Sequence, residues 1–436
     1  MPTVTAAGGG ALRVGARSVG VPPSRRGRWS TAGPLVAAAV IALMAGCSTV
    51  VAGHAVQAPQ SGPAQVDVAL LDPGNYPRHP LAPLGQVADD GAGRIVEALR
   101  MANNVVGPWE VDPSMVVQAK INTRTLPTTD SLADFWGPDL TTVAAAHNYV
   151  GGFITQRLSP PPAPGKPAGT GKGSKMLCNG VFRFASPEDA AAAATEMAAK
   201  DAAMPHPDTT GSPLPIPIPR HPDTTANSLN PSGGFEADVF TARGPYVLFQ
   251  DAGSGESVDA LAQMIARVLD LQGPLIDRFQ PTPADQFASL PADPTGLLAR
   301  TVPGNLKEGA VLEPHAALHY RPNPIAAQQM FTSAGVQHVA VNRSTVYETV
   351  DSTGANRVVE GLVRMDVPGY GYKSAAGING LPSARCFELG QKPNGNTDIR
   401  YMCVAAADRY AIRVTAAQER DAHQVVAAQY LMLTAS

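Results

Sequence analysis

The chain has little of three things that often reveal function. Of its 436 residues only 16% are charged, 6% are aromatic, and four are cysteine. Four cysteines are too few for a fold built on disulfides, although they suit an exported protein that uses one bridge. There is no basic surplus, since the formal net charge is −3, which excludes binding to nucleic acid or an anionic lipid surface by charge alone. No apolar run approaches the ~20 residues needed to span a bilayer; the run Leu35–Leu43 falls well short. Catalytic signatures are missing too. No Gly-x-Ser-x-Gly or Ser-x-x-Lys appears, and Ser254 between Gly253 and Gly255 has the wrong spacing for a nucleophile elbow.

What is present starts at the amino terminus. Five arginines (Arg13, Arg17, Arg25, Arg26, Arg28) and no acid precede the short apolar run, and Ala45-Gly46-Cys47 follows it. This is the pattern of a secretory signal over residues 1–46, with Cys47 as the lipid-modified first residue of the mature chain. Met44 stands where leucine is usual in such a lipobox. Arg25-Arg26 leaves the export route open between the general secretory and twin-arginine pathways. Residues 47–65 are small and polar and read as a flexible tether. Loss of the leader makes the mature chain more acidic, so membrane attachment falls to the lipid.

The remaining residues are 44% hydrophobic over the whole chain, enough to bury a core. The order helix, two strands, helix, two strands, helix occurs twice, within 138–272 and again within 324–433. Each copy reads as an antiparallel sheet with helices on one face, an α+β fold. The expected organisation is an N-terminal domain over 66–283, a linker over 284–303, and a C-terminal domain over 304–436. The segment 66–136, with an amphipathic helix near Gly93–Asn103, is expected to pack on the N-terminal domain. The proline-rich stretch from Met204 to Gly234, which repeats His-Pro-Asp-Thr-Thr, reads as a long loop with little regular structure. Cys386 and Cys403 flank a polar turn and would face each other on returning strands, forming a disulfide. Cys178 is then a buried thiol, the alternative being a bridge from Cys178 to one of the other two.

Other constellations are weak. Gly169-Thr170-Gly171-Lys172-Gly173-Ser174 lacks the first glycine and the hydroxyl of a phosphate loop. Gly369-Tyr370-Gly371-Tyr372 lacks the third glycine of a dinucleotide turn. His315 and His319 have metal-ligand spacing on a helix, but Pro314 and Arg321-Pro322 argue against that helix and for surface histidines. Nothing in the sequence brings Cys178 to His147. No catalytic residue, cofactor or metal site follows, and acids show no paired motif.

Three segments resemble a family of uncharacterised actinobacterial, chiefly mycobacterial, lipoproteins: Leu71–Pro77 (Leu-Asp-Pro-Gly-Asn-Tyr-Pro), Gly93–Ala102, and Val106–Pro113. The resemblance implies attachment to the extracytoplasmic face of the cell membrane and transfers no catalytic residue. The expected function is that of a lipid-anchored, non-enzymatic binding module for an unknown envelope ligand or protein. The alternatives are an envelope hydrolase or transferase, and a structural envelope component. A deep cleft with a serine or cysteine beside histidine would favour the enzyme, and an apolar cleft would favour binding.

Overall fold

The computed structural model describes residues 65–119, 123–204, 213–230, 234–304, 309–390 and 399–435. The expected signal peptide, Cys47, nearly all of the tether, and the first His-Pro-Asp-Thr-Thr copy lie outside the described residues. No described helix is long and apolar enough to cross a membrane.

The first half runs α1 (Asp90–Ala102), α2 (Pro108–Val111), β1 (Val117–Gln118), β2 (Arg124–Leu126), α3 (Thr129–Trp136), α4 (Pro138–Ala146), β3 (Tyr149–Leu158), β4 (Lys175–Phe184), α5 (Pro187–Ala203), β5 (Leu214–Pro215), β6 (Thr225–Leu229), β7 (Phe235–Arg243), β8 (Tyr246–Ser254) and α6 (Val258–Ile276). The second half runs β9 (Ala310–Leu312), α7 (Pro314–Leu318), α8 (Pro324–Ala334), β10 (Val336–Val341), β11 (Thr345–Thr349), α9 (Ser352–Tyr370), β12 (Tyr372–Ser374), β13 (Arg385–Leu389), β14 (Tyr401–Ala407), β15 (Tyr410–Ala416) and α10 (Glu419–Thr434).

Local chemistry sets the helix starts. Ser186, Ser257 and Asp351 cap α5, α6 and α9 by accepting from backbone N–H groups of the first turn, each satisfying a donor the helix would otherwise leave unpaired. Pro187 at N1 of α5 loses no bond, because that N–H has no helical partner.

The strands form two antiparallel sheets whose orders match strand for strand. The first is β1-β3-β4-β8-β7-β6-β5, with β2 also on β3; the second, from its other end, is β9-β10-β11-β15-β14-β13-β12. The duplicated α+β architecture is therefore present, as two similar domains. Helices cover both faces of each sheet, which corrects the one-face expectation. On β4, Leu177 and Val181 face the core that holds α6, whereas Cys178 and Phe182 face α4 and α5. On the second sheet Tyr347 faces α8 and α9, while Val346 and Cys403 face α10. Strands buried on both sides carry near-continuous apolar runs, so their sequence does not alternate and hides the second covered face.

Two further expectations change. The proline-rich stretch contributes β5 and β6, because alternation in Thr225–Leu229 buries Ala226 and Ser228 against the sheet. The chain around residues 66–81 packs on the C-terminal domain: Asp67 N donates to Gly380 O at 2.9 Å, and the Tyr76 hydroxyl to Asp421 at 2.7 Å. Leu71 lies in the α10-side core there. The glycine-lysine cluster is a closed β3–β4 connection. A Cβ on Gly255 would lie 2.0 Å from Gly171 O, so the two backbones touch, and the N–H groups of Gly169, Gly173 and Ser174 donate to carbonyls of the chain itself rather than standing ready for a phosphate.

Candidate interdomain cleft

The face of the first sheet that carries α6 and the face of the second that carries α8 and α9 contribute to one continuous apolar core. The short helix α7 sits in that junction. Pro314 at its N1 position starts the helix rather than blocking it, so His315 lies in the helix and His319 at its C-cap. They are not surface histidines, and each already has partners. His315 bonds Asn103 O (3.0 Å) and the Glu110 carboxylate (3.0 Å). His319 bonds Ala102 O at 3.1 Å and is fully buried between the rings of Trp109 and Phe153. Burial pushes its pKa well below the usual histidine value, keeping it neutral.

Arg157 on β3 crosses the same junction. It is fully buried, donates to His319 O (2.6 Å) and Arg321 O (3.0 Å), and lies over Trp109. Burial alone lowers its pKa to about 10. It stays cationic at neutral pH, and its hydrogen bonds go to the carbonyl dipoles of Val116, His319 and Arg321 rather than to carboxylates.

Beside this junction opens an apolar cavity of about 350 Å³, at the lower end of the usual range for small-molecule sites. Leu99 of α1, Leu312 of β9 and Tyr320 form walls, and Val339 and Tyr347 lie on the sheet face. Arg321 and Arg413 also line it, and among the described lining residues there is no acid. Both arginines bond one buried carboxylate beneath, Asp366 of α9, each at 2.9 Å. Arg321 also donates to the Tyr347 hydroxyl at 3.1 Å. Burial works against charge on Arg321, but Tyr347 and Asp366 outweigh it and the net pKa rises. Two guanidinium groups against one carboxylate leave a surplus positive charge at an apolar wall. Isolated charge there costs several kcal/mol unless compensated. Arg321 Nε is buried without a hydrogen-bond partner although the residue is only 9% exposed.

A second cavity of about 420 Å³ shares Leu99 and Ala310 with the first and extends along Pro291, Val311, Glu313 and His338. Neither cavity has a serine or cysteine among its described lining residues.

The equivalent place in the N-terminal domain is filled. The β7–β8 and β14–β15 hairpins both turn through two residues, with Arg243 opposite Tyr246 and Ala407 opposite Tyr410. Aligned on those tyrosines, Phe249 stands where Arg413 stands. Phe249 lies opposite Gly180 and Phe240; Arg413 lies opposite Thr345 and Val404. Phe249 is 1% exposed and packs edge-on against Phe135 and Trp136 of α3, with ring centroids 5.8 and 4.9 Å away. Asp366 also has a counterpart: Asp201 lies the same distance beyond the N-cap of α5.

Cys386 and Cys403 are directly opposite on β13 and β14 and form a disulfide; Cys178 is a buried free thiol. Burial, then the Asp251 and Asp238 charges, raise the Cys178 pKa well above normal, which makes it unreactive. His147 bonds Glu196 at 2.9 Å, and no bond joins it to Cys178. Acids that look scattered in sequence do converge: Asp238 faces Asp251 across β7–β8, and Asp201 of α5 hydrogen-bonds Asp238. Burial raises the pKa of Asp251 to about 7, with Glu236 and Asp201 adding to the shift. The site residues missed from sequence are Arg321, Asp366 and Arg413. A readable signal existed at one of them, because Arg413 interrupts the inward positions of an otherwise apolar strand.

Comparison with known proteins places the fold in a family. Residues 84–292 match the model described as "Domain of unknown function (DUF7373) N-terminal", and residues 297–436 match its C-terminal partner. No curated protein matches the chain. A similar solved structure is the extracellular domain of PknH from Mycobacterium tuberculosis, 15% identical, covering 41% of this chain and 96% of that one, with a TM-score of 0.25. That score is too low to carry an argument. With both family models matched in order along most of its length, the chain belongs to the DUF7373 family.

Proposed function

We propose that the protein is a lipid-anchored, extracytoplasmic binding module that holds a small ligand in the cleft formed mainly by its C-terminal domain and closed on one side by Leu99 of α1. The observation that carries this reading is the contrast at one sheet position. The N-terminal copy fills it with Phe249 and α3, while the C-terminal copy leaves an apolar cavity with arginine on its wall. An apolar wall left open to water forgoes burial that a ligand's own apolar surface would supply, so an open cavity beside a filled counterpart suits occupancy. The cleft walls supply contact area and positive charge but no hydroxyl or thiol nucleophile beside a base, which supports binding over the hydrolase or transferase alternative. Anchoring rests on the arginine-rich leader and Ala45-Gly46-Cys47. Replacing Cys47 with alanine should release the chain from membranes or block its processing.

The test is mass spectrometry of small molecules co-purifying with the full chain from its native envelope, against a Thr345→Trp variant. Thr345 lines the cavity opposite Arg413, so tryptophan there fills it. The wild type should carry a molecule the variant lacks. Identical profiles from a folded variant would contradict the reading.

A further inference from the structure

We propose that the ligand is an amphiphile with a single anionic head group and an apolar chain, its head bound by Arg413 beside the charge of Arg321 and its chain against Leu99, Leu312 and Val339. This rests on the binding reading above and adds the chemical class.

Three observations carry it. First, the charge on the cleft wall is unbalanced. Asp366 is 2% exposed and accepts from both arginines, so one positive charge of the pair is uncompensated by it. A monoanion would restore balance, and a dianion would exceed it. Second, donors remain available. Arg413 spends only Nε on Asp366, and among the described residues its two terminal nitrogens make no hydrogen bond. Arg321 donates to Tyr347 and Asp366, and its Nε is buried, so it adds charge beside the head rather than a hydrogen bond to it. A planar guanidinium suits a carboxylate or phosphate oxygen pair better than a point charge does. Third, most of the rest of the wall is apolar, with hydroxyls only on Tyr320, Thr345 and Tyr347, the last already accepting from Arg321. Leu99, Ala310, Leu312, Ala317, Val339 and Val341 offer no donor or acceptor from a side chain, so a sugar or a small polar anion would leave much of its polar surface unpaired. A neutral lipid would leave the Arg413 guanidinium unsatisfied, and a cationic one would meet like charge.

The probes are dodecanoate, dodecyl methyl phosphate (a phosphodiester with one negative charge), methyl dodecanoate and dodecyltrimethylammonium, each titrated calorimetrically into the full mature chain below its micelle concentration. The expected result is saturable one-to-one binding of the two anions and much weaker binding of the ester and the cation. Their relative affinity separates a carboxylate from a phosphate head. Arg413→Met keeps the Asp366–Arg321 pair and should weaken dodecanoate roughly tenfold to hundredfold, the worth of a charge-assisted hydrogen bond, while leaving the ester unchanged. Arg413→Lys should recover part of the loss. Thr345→Trp should abolish all binding, with circular dichroism confirming the fold. If the ester or the cation binds as tightly as the anions and Thr345→Trp still removes it, the anionic class is wrong and the cleft reading survives. If Thr345→Trp changes nothing, both fail.

Discussion

At one position of the same sheet topology the N-terminal domain holds Phe249 and the C-terminal domain holds Arg413. Around Phe249 the chain supplies Phe182 and Phe240 from neighbouring strands and Phe135 and Trp136 from α3, a packed aromatic cluster. Around Arg413 it supplies Tyr347, Asp366 and Arg321 beside an open cavity. The acids differ in the same way. Asp366 has two cations, whereas Asp201, in the matching place on α5, meets Asp238. The lesson is that duplication preserves strand order while burial chemistry diverges. One copy has become a core, and the other has the features of a site.

The comparison can be broken most forcefully by exchanging the two residues. Phe249→Arg places an unpaired guanidinium in a closed aromatic core and should cost more than about 4 kcal/mol. Arg413→Phe should cost less than about 1 kcal/mol, because Asp366 keeps Arg321 and the cavity has room. Denaturant titration of both variants decides it, and similar losses would mean that the two positions are not in different environments.

The interface between the copies gives the next largest effect. Arg157→Ala removes a buried side chain that satisfies the carbonyls of His319 and Arg321, leaving them unpaired beside a void. The expected loss is about 3 kcal/mol by chemical denaturation, from the orphaned acceptors and the lost packing. A loss below about 1 kcal/mol would show that the junction does not depend on it.

A disulfide occurs in the C-terminal sheet only, and Ala226 occupies the Cys386 position in the first. Replacing both cysteines with alanine should lower stability by about 3 kcal/mol, as expected for a loop of 17 residues. Alkylation under non-reducing conditions should modify Cys178 only after unfolding.

The acid cluster gives a smaller, pH-dependent contrast between the domains. Asp251 titrates near 7 in the fold and at the ordinary carboxylate value of 3.8 when unfolded. Between these values the unfolded chain has lost a proton that the native chain retains, so stability falls as pH rises from about 4 to 7 and levels off above. The change should be on the order of a few kcal/mol, and Asp251→Asn should reduce it, leaving the part contributed by Asp238 and Glu236, whose pKa values burial also raises. A wild-type stability that rises across this range at a matched background of other groups would contradict the assignment.

Much of the fold is legible in the sequence because its signals are local. Ser186-Pro187-Glu188-Asp189 starts a helix by capping chemistry, and the two hairpin turns before Tyr246 and Tyr410 are visible as breaks between apolar strands. The second covered face of each sheet is not, since Leu177 and Cys178 are both apolar and look alike whichever way they point. Nor does proximity in sequence reveal that Leu71 belongs to the C-terminal core, or that Asp366 reaches both Arg321 and Arg413. Those contacts depend on how α7 and α9 pack, and no local pattern encodes it. The cleft is legible only by aligning one copy on the other and asking why a phenylalanine position holds an arginine.

The most direct test of the account is a crystal structure of the mature chain with dodecanoate carrying a terminal bromine. The account predicts one anomalous bromine peak in the cavity formed mainly by the C-terminal domain, near Leu99 and Val339, with the carboxylate on Arg413 beside Arg321. The aromatic cluster around Phe249 should be unoccupied. A bromine within that cluster, or a ligand carboxylate away from both arginines, would contradict it.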